Sequence, residues 1–209
     1  MLPWFQYTVV HLGPIPIQVW GFFVALGMAL SMWIVWQRAK RLGENPEQIV
    51  DLAFWAIVGG LIGARLFHIL LYQPEFYFAN PIEIIKVWHG GFSSFGGLGG
   101  AVVGFWFKWK KINRRHPERS DGSPRRLYRI ADILAFAAVY GWMIGRIGCV
   151  MIHDHPGAPC NGFLSIRWPD GTARFDMALL EIIGMIPLAI WFFVVRKRQK
   201  REGWHLNTL

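Results

Sequence analysis

The sequence predicts an all-α integral membrane protein with about five transmembrane helices and one short interfacial helix, its N-terminus outside and its C-terminus cytoplasmic. Three observations lead there. First, 54% of the 209 residues are hydrophobic and 16% aromatic, yet the formal charge is +9, a pairing unusual in a soluble domain. Second, several runs without acidic residues exceed the roughly 20 residues needed to cross a bilayer. Third, the basic residues cluster between the apolar runs. With spans near 17–36, 52–72, 92–109, 130–152 and 177–195, 17 of the 22 Lys/Arg fall on one side: Arg38, Lys40 and Arg41, the loop from Lys108 to Arg129, and the tail from Arg196 to Arg201. The positive-inside rule makes that side cytoplasmic. The charge is thereby explained without nucleic acid, and the basic loop is expected to rest on anionic membrane lipid.

The first segment carries Pro14 and Pro16 before Trp20-Gly21, then an apolar helix with nothing ionisable until Gln37, and reads as scaffold. Met1–Gly21 has neither a basic n-region nor a small-residue cleavage site, so no signal peptide is expected. No internal repeat or low-complexity linker interrupts the chain, which reads as one polytopic domain over residues 1–209.

The second span is more informative. Gly59, Gly60 and Gly63 form a small-residue packing face, followed by Arg65, His68 at i+3 and Tyr72 at i+7. After it, Asn80-Pro81-Ile82-Glu83 has the pattern of an N-cap, a proline at the first helical position and a Glu at the third, which predicts the interfacial helix. Tyr77, Trp88 and His89 suit an aromatic belt. The run from Gly90 to Gly100 then opens the third span. No Gly-Lys-Ser/Thr ends it and no strand precedes it, so it is not a nucleotide loop. Two readings stay open: tight helix packing, or a helix N-terminus whose free N–H groups, with Ser93 and Ser94, face an anion.

The fourth span, ending in Gly141–Gly157, organises the rest. Arg146 lies within it, where an arginine costs on the order of 3 kcal/mol at the bilayer centre and so faces a protein interior or a polar cavity. Cys149 at i+3 and His153 at i+7 share its face, while Ala137, Gly141, Gly145 and Gly148 make an adjacent strip of small residues. Arg65 and Arg146 each stand seven residues before the outer end of their span, roughly 10 Å below it. Either arginine alone could snorkel to headgroups or cap carbonyls of a partner helix. Together they are expected to share an anion site, because guanidinium grips phosphate through paired hydrogen bonds, and the natural anion at that depth is a phospholipid headgroup.

The outer segment from His153 to Asp176 reads as proline and glycine turns. His153, His155, Cys149 and Cys160 can be assembled on paper into a zinc site. Their spacing matches no standard pattern and the two cysteines lie at different depths, so no metal is assigned. An oxidised Cys149–Cys160 pair is the minority reading. Glu181, near the outer end of the last span, calls for a partner such as Arg146.

Several blocks together resemble the bacterial prolipoprotein diacylglyceryl transferase family: Gly145-Arg-Ile-Gly148, Trp88-x-Gly-Gly-x-Ser93 with Gly96-Gly97, Gly63-Ala-Arg-Leu66, and Leu179-Leu-Glu181. The first is the most specific. The resemblance covers most of the chain and implies a multi-pass enzyme of the bacterial inner membrane. Such an enzyme moves diacylglycerol from phosphatidylglycerol to the lipobox cysteine at the end of a prolipoprotein signal peptide, releasing glycerol phosphate. Where the family typically has histidine before the second Gly-Gly pair, this chain has Phe95; it also has Cys149 where asparagine is frequent and Trp20 where tyrosine is. It ends before the family's final helix.

Carried onto this chain, the chemistry needs a base for the thiol and positive charge for the departing phosphate. Arg146 and Glu181 are the expected catalytic pair, with His153 favoured as base over His155 and His68 because histidine titrates near neutrality. Arg65, His68, Gly90, Gly91, Ser93, Gly96, Gly97, Gly145, Gly148, Cys149 and His155 are the expected substrate-binding residues. The lipid enters laterally, so no soluble cofactor is implied. The alternatives are a family member without activity, or a small transporter or lipid-binding protein holding an anionic headgroup. A transporter predicts a midplane site between repeats, and no repeat is found.

Overall fold

The computed structural model describes residues 1–87, 90–115 and 124–201. Five long helices stand where five spans were predicted: α1 (Val19–Arg41), α2 (Pro46–Phe67), α4 (Ser94–Arg115), α5 (Pro124–Ile152) and α6 (Met177–Arg201); the short α3 (Pro74–Ala79) lies between α2 and α4. Among the described residues, four helices are long and apolar enough to cross a membrane: α1, α2 with the turn that follows it, α5 from Arg126, and α6 to Val195. The fifth, α4, opens on glycines and ends in Lys108, Lys110, Lys111, Arg114 and Arg115, which lowers its hydropathy. Its Leu98, Val102, Val103 and Phe107 are nonetheless exposed. Large side chains such as Trp33, Leu71, Phe107 and Trp191 stand out from the protein along these helices, as they do where lipid tails are the solvent.

The chain divides into two compact units, residues 1–34 with 135–209, and residues 35–134. In the second, α2 and α4 pack backbone to backbone through glycines. A β-carbon built on Gly59, Gly63, Gly96, Gly100 or Gly104 would land on a carbonyl oxygen of the facing helix, so only hydrogen fits there. Asn45 starts α2 by accepting from the amides of Glu47 and Gln48, with Pro46 at the first helical position. Around this start, Arg126 and Arg129 bind Glu44 at 3.3 and 3.2 Å, and Arg38 binds Asp132 at 2.7 Å. The helix α2 unwinds into a π-helical turn over His68–Tyr72. The predicted interfacial helix at Asn80 is a single 3-10 turn, Pro81–Ile84, and Asn80 does not cap it: its amide donates backward to Phe76 O at 3.2 Å. Trp88 and His89 of the expected aromatic belt, the middle of the basic loop and the end of the tail lie outside the described residues.

In the first unit, strands absent from the prediction frame the helix ends. A hairpin of β1 (Val9–Leu12) and β2 (Ile15–Gln18) precedes α1. The segment expected to be turns is a three-stranded antiparallel sheet in the order β3-β5-β4, from β3 (Pro156–Pro159), β4 (Ser165–Arg167) and β5 (Ala173–Asp176). Short strands rich in proline and glycine carry too weak an alternation to be read as strands. The N-terminal residues bind both this sheet and the end of α5: Leu2 N donates to Ser165 O at 2.9 Å, and Tyr7 N to Met151 O at 2.9 Å. The helix α5 packs on α1 through its small-residue strip, with Gly141 against Gly27 and Ser31, and Gly148 against Trp20 and Phe23.

Candidate functional site

The two intramembrane arginines have different surroundings. Arg65 is 6% exposed. A guanidinium has five N–H donors, and here five carbonyls receive them: Nε binds Ile84 O at 3.1 Å; Nη1 binds Gly90 O, and Gly91 O at 3.1 Å; Nη2 binds Glu83 O at 2.5 Å and Lys86 O at 3.3 Å. Gly90 and Gly91 both adopt positive φ, 81° and 79°, which glycine alone tolerates freely. A β-carbon on Gly91 would strike the His68 ring at 2.7 Å and Arg65 Nη1 at 3.0 Å. His68 stacks on Tyr72 and meets Tyr77 edge-on, while Arg65 lies 5.0 Å from the Tyr77 ring centroid. Of the two roles open to Arg65, the geometry is that of carbonyl capping, which ties residues 83–86 and 90–91 to α2.

The residues opening α4 follow suit. Ser93 is buried; its amide donates to Ala64 O at 3.0 Å and its hydroxyl accepts from Gly96 N at 3.4 Å, an N-cap. Gly97 N bonds Ser93 O at 2.9 Å. Gly96 and Gly97 face Gly63 and Ala64 of α2. The tight-packing reading therefore accounts for Gly96, whereas a β-carbon on Gly97 would meet only ordinary contacts, Ala64 Cβ at 3.6 Å and Gly60 O at 3.8 Å. Phe95, where the resemblance expects histidine, is 79% exposed and points away from this packing.

Arg146 is different. Its Nε and Nη2 grip Glu181 Oε2 and Oε1 at 2.5 and 2.8 Å, joining α5 to α6. Its Nη1 lies 3.7 Å from Cys149 Sγ, and the Trp142 ring, one turn earlier, covers it at 5.0 Å. Trp142 Nε1 also donates to Glu181 Oε2 at 3.4 Å. With two of five N–H bonds on the carboxylate and one on sulfur, two have no partner among the described residues. The predicted Arg146–Glu181 partnership is thus present, and Trp142 is a participant that its i−4 offset from Arg146 would have revealed. Gly145 has room around it, with Val24 Cγ2 at 4.0 Å from a built β-carbon; Gly148 has none, since Phe23 Cβ stands at 2.9 Å.

His153 is held elsewhere. It ends α5 with φ of 48°, the left-handed conformation in which helices commonly stop. Its Nδ1 bonds Asp176 Oδ2 at 2.5 Å, and both side chains are fully buried. The ring stacks on Trp4 and contacts Phe5 and Trp168. Nε2 is buried and has no hydrogen-bond partner among the described residues. Asp176 also accepts from Leu179 N at 3.1 Å, capping α6. Asp176 directly before the apolar start of the last span was the available signal. A general base has to meet its substrate, and the aromatic cover makes His153 a fastening between α5 and α6 rather than an open base.

Past the αL turn the chain doubles back, so that Asp154 and His155 return over Cys149; one ligand atom from each of the three lies within 4.8 Å of the others. His155 Nδ1 and Asp154 Oδ1 are 2.5 Å apart and exposed. Cys149 and Cys160 are both free thiols. The trio unites Cys149 with Asp154, a residue the zinc assembly on paper left out, and without Cys160 or His153.

These features define a class: a polytopic α-helical membrane protein that keeps one ion-paired arginine, with donors to spare, beside a thiol near the end of a span. Residues 7–206 match the family described as prolipoprotein diacylglyceryl transferase, and the chain belongs to that family. Curated relatives named phosphatidylglycerol–prolipoprotein diacylglyceryl transferase agree. The protein of Staphylococcus xylosus is 35% identical over 151 residues, 71% of this chain and 49% of the relative. That of Tolumonas auensis is 32% identical over 196 residues, 93% and 72%, and that of Nitratidesulfovibrio vulgaris 29% over 199, 91% and 71%. The chain thus spans from about half to just over two thirds of the length of these relatives.

Proposed function

We propose that this protein transfers the diacylglyceryl group of phosphatidylglycerol to the lipobox cysteine of prolipoproteins, at the outer side of the bacterial inner membrane, with the basic loop and tail in the cytoplasm. The observation carrying this reading is the Arg146–Glu181 pair within Gly145-Arg-Ile-Gly148, which leaves two guanidinium N–H bonds unused beside Cys149. A substrate thiolate attacks the glycerol carbon that bears the phosphate ester, and the phosphate departs with the electron pair of the C–O bond. The free fork of Arg146 meets the charge growing on that phosphate. Glu181 holds the guanidinium plane, and Trp142 excludes water from one face of it. Because Glu181 neutralises Arg146 at rest, the pair is tolerable within the span.

The exposed Asp154–His155 pair lies close to Cys149, where the acceptor thiol would be met. Arg65, with all five donors on carbonyls, acts as a positioning residue for Gly90 and Gly91. Purified protein incubated with phosphatidylglycerol labelled in the acyl chains and a lipobox peptide is expected to yield a labelled thioether and free glycerol phosphate. A chain that binds the lipid but yields no thioether with peptide in excess would establish the non-catalytic reading instead.

A further inference from the structure

The transferase reading leaves open how a thiol, weakly acidic in water and less so near lipid, is presented as thiolate. We propose that Cys149, Asp154 and His155 hold a zinc ion whose fourth position receives the acceptor cysteine. This inference rests on the proposed function and adds a metal to the same site.

The donor set points to zinc. One thiolate, one imidazole and one carboxylate form a mixed soft and borderline set, within reach of a single ion since the three ligand atoms lie within 4.8 Å of one another. Three protein ligands with an open fourth position are the pattern of a reactive zinc site, whereas structural sites are closed by four. The sequence hides it because Cys149 is on a helix and its partners follow the αL turn at His153, which folds residues 154 and 155 back. That return is fixed at both ends: His153 N donates to Cys149 O at 2.9 Å, and Met177 N to His155 O at 3.1 Å. The trio is therefore preorganised by α5 and α6 together.

Two neighbours complete the case. Arg146 Nη1 approaches Cys149 Sγ at 3.7 Å, the kind of outer-shell donor that orients a metal-bound thiolate. The charges also close: Cys149 thiolate and Asp154 carboxylate offset the dication, while Glu181 offsets Arg146. The cation takes the place of the hydrogen bond between His155 Nδ1 and Asp154 Oδ1, and the Cys149 thiol gives its proton to water on binding it. An arginine that holds phosphate thus adjoins an ion that holds sulfur, with the reacting carbon between them.

The step balances. The acceptor thiol binds zinc as thiolate and its proton passes to water, because a metal-bound thiol is deprotonated outright. Sulfur attacks the glycerol carbon, the S–C bond forms and the C–O bond breaks. Its electron pair stays on the phosphate oxygen of the departing glycerol phosphate. Nothing is oxidised or reduced, and the thioether, a poor ligand, leaves the ion.

The test uses the full chain in detergent, freed of metal by chelation and dialysis. Titrated with cobalt(II) chloride under argon, it is expected to show a sulfur-to-cobalt charge-transfer band that saturates at one equivalent and is abolished by zinc chloride. Cys149→Ser is expected to lose the band, and Asp154→Asn and His155→Gln to lose its one-to-one saturation. Cys160→Ser is expected to keep it. Absence of the band in the unaltered chain, or its loss in Cys160→Ser with retention in Cys149→Ser, overturns the proposal without need of a variant that folds poorly. Transfer is measured on the same samples. Full turnover by metal-free protein would overturn the zinc site and leave the transferase standing. A saturating band with no transfer to peptide from phosphatidylglycerol would uphold the metal site and sink the transferase.

Discussion

Substituting alanine at two neighbouring glycines of α4 should have opposite effects. A β-carbon on Gly100 falls on the carbonyl oxygen of Gly59 and 2.9 Å from both Gly59 C and Gly63 Cα. All three are backbone atoms and cannot rotate aside. Overpacking by one methyl costs about 1–3 kcal/mol, and a rigid wall places this case near the top of that range. Alanine regains about 1 kcal/mol over glycine in a helix, so Gly100→Ala should destabilise the protein by about 2 kcal/mol. A β-carbon on Gly99 meets nothing within 4 Å, leaving only the gain of about 1 kcal/mol. The two variants should therefore differ by about 3 kcal/mol, on the order of 100-fold in the folded-to-unfolded ratio. Reversible unfolding in mixed micelles, followed by tryptophan fluorescence, reads this difference. Equal stabilities for Gly99→Ala and Gly100→Ala would refute the claim that α2 and α4 meet backbone to backbone.

Four further outcomes are expected. Arg146→Lys keeps the charge but loses the fork on Glu181 and the plane under Trp142, so transfer should fall by about 100-fold or more with insertion intact; thioether assays on purified protein check it. Asp176→Ala removes both the cap of α6 and the partner of the buried His153, which should cost about 2–4 kcal/mol in the same unfolding assay, with Asp176→Asn milder. The turn at 168–172 should loosen in strong acid. Hydrogen bonds from the Thr172 hydroxyl and amide, and then Arg174, hold the Asp170 carboxyl below its ordinary value. A depressed folded value stabilises above the unfolded value and is lost as pH falls through the folded one, so amide exchange at Thr172 should quicken there and Asp170→Asn should abolish the dependence. Finally, the proposed topology expects a cysteine placed at Ser120 to resist an impermeant thiol reagent in intact cells and one at Ala158 to react; equal rates would refute it.

What the sequence made legible was the periodic part. Helix positions follow from apolar length, and the glycine faces of α2 and α4 follow from spacing, because both depend on local pattern. The Arg146–Glu181 pair was also readable, since a charge within a span demands a partner. What stayed hidden depends on chain reversal. The αL turn at His153 moves the imidazole into an aromatic pocket with Asp176 and brings Asp154 and His155 over Cys149, and helical offsets stop being valid at that residue. Arg65 and Arg146 look equivalent by depth and flanking glycines. They differ because one meets five backbone carbonyls and the other a carboxylate, a distinction of tertiary surroundings.

The saturation of Arg65 bears on how the protein is made. Residues 83–91 emerge from the ribosome after α2, so α2 enters the bilayer with a guanidinium whose five acceptors do not yet exist. Until they arrive, that charge costs on the order of 3 kcal/mol. The last of these acceptors, Gly91 O, lies 24 residues beyond the end of α2 at Phe67.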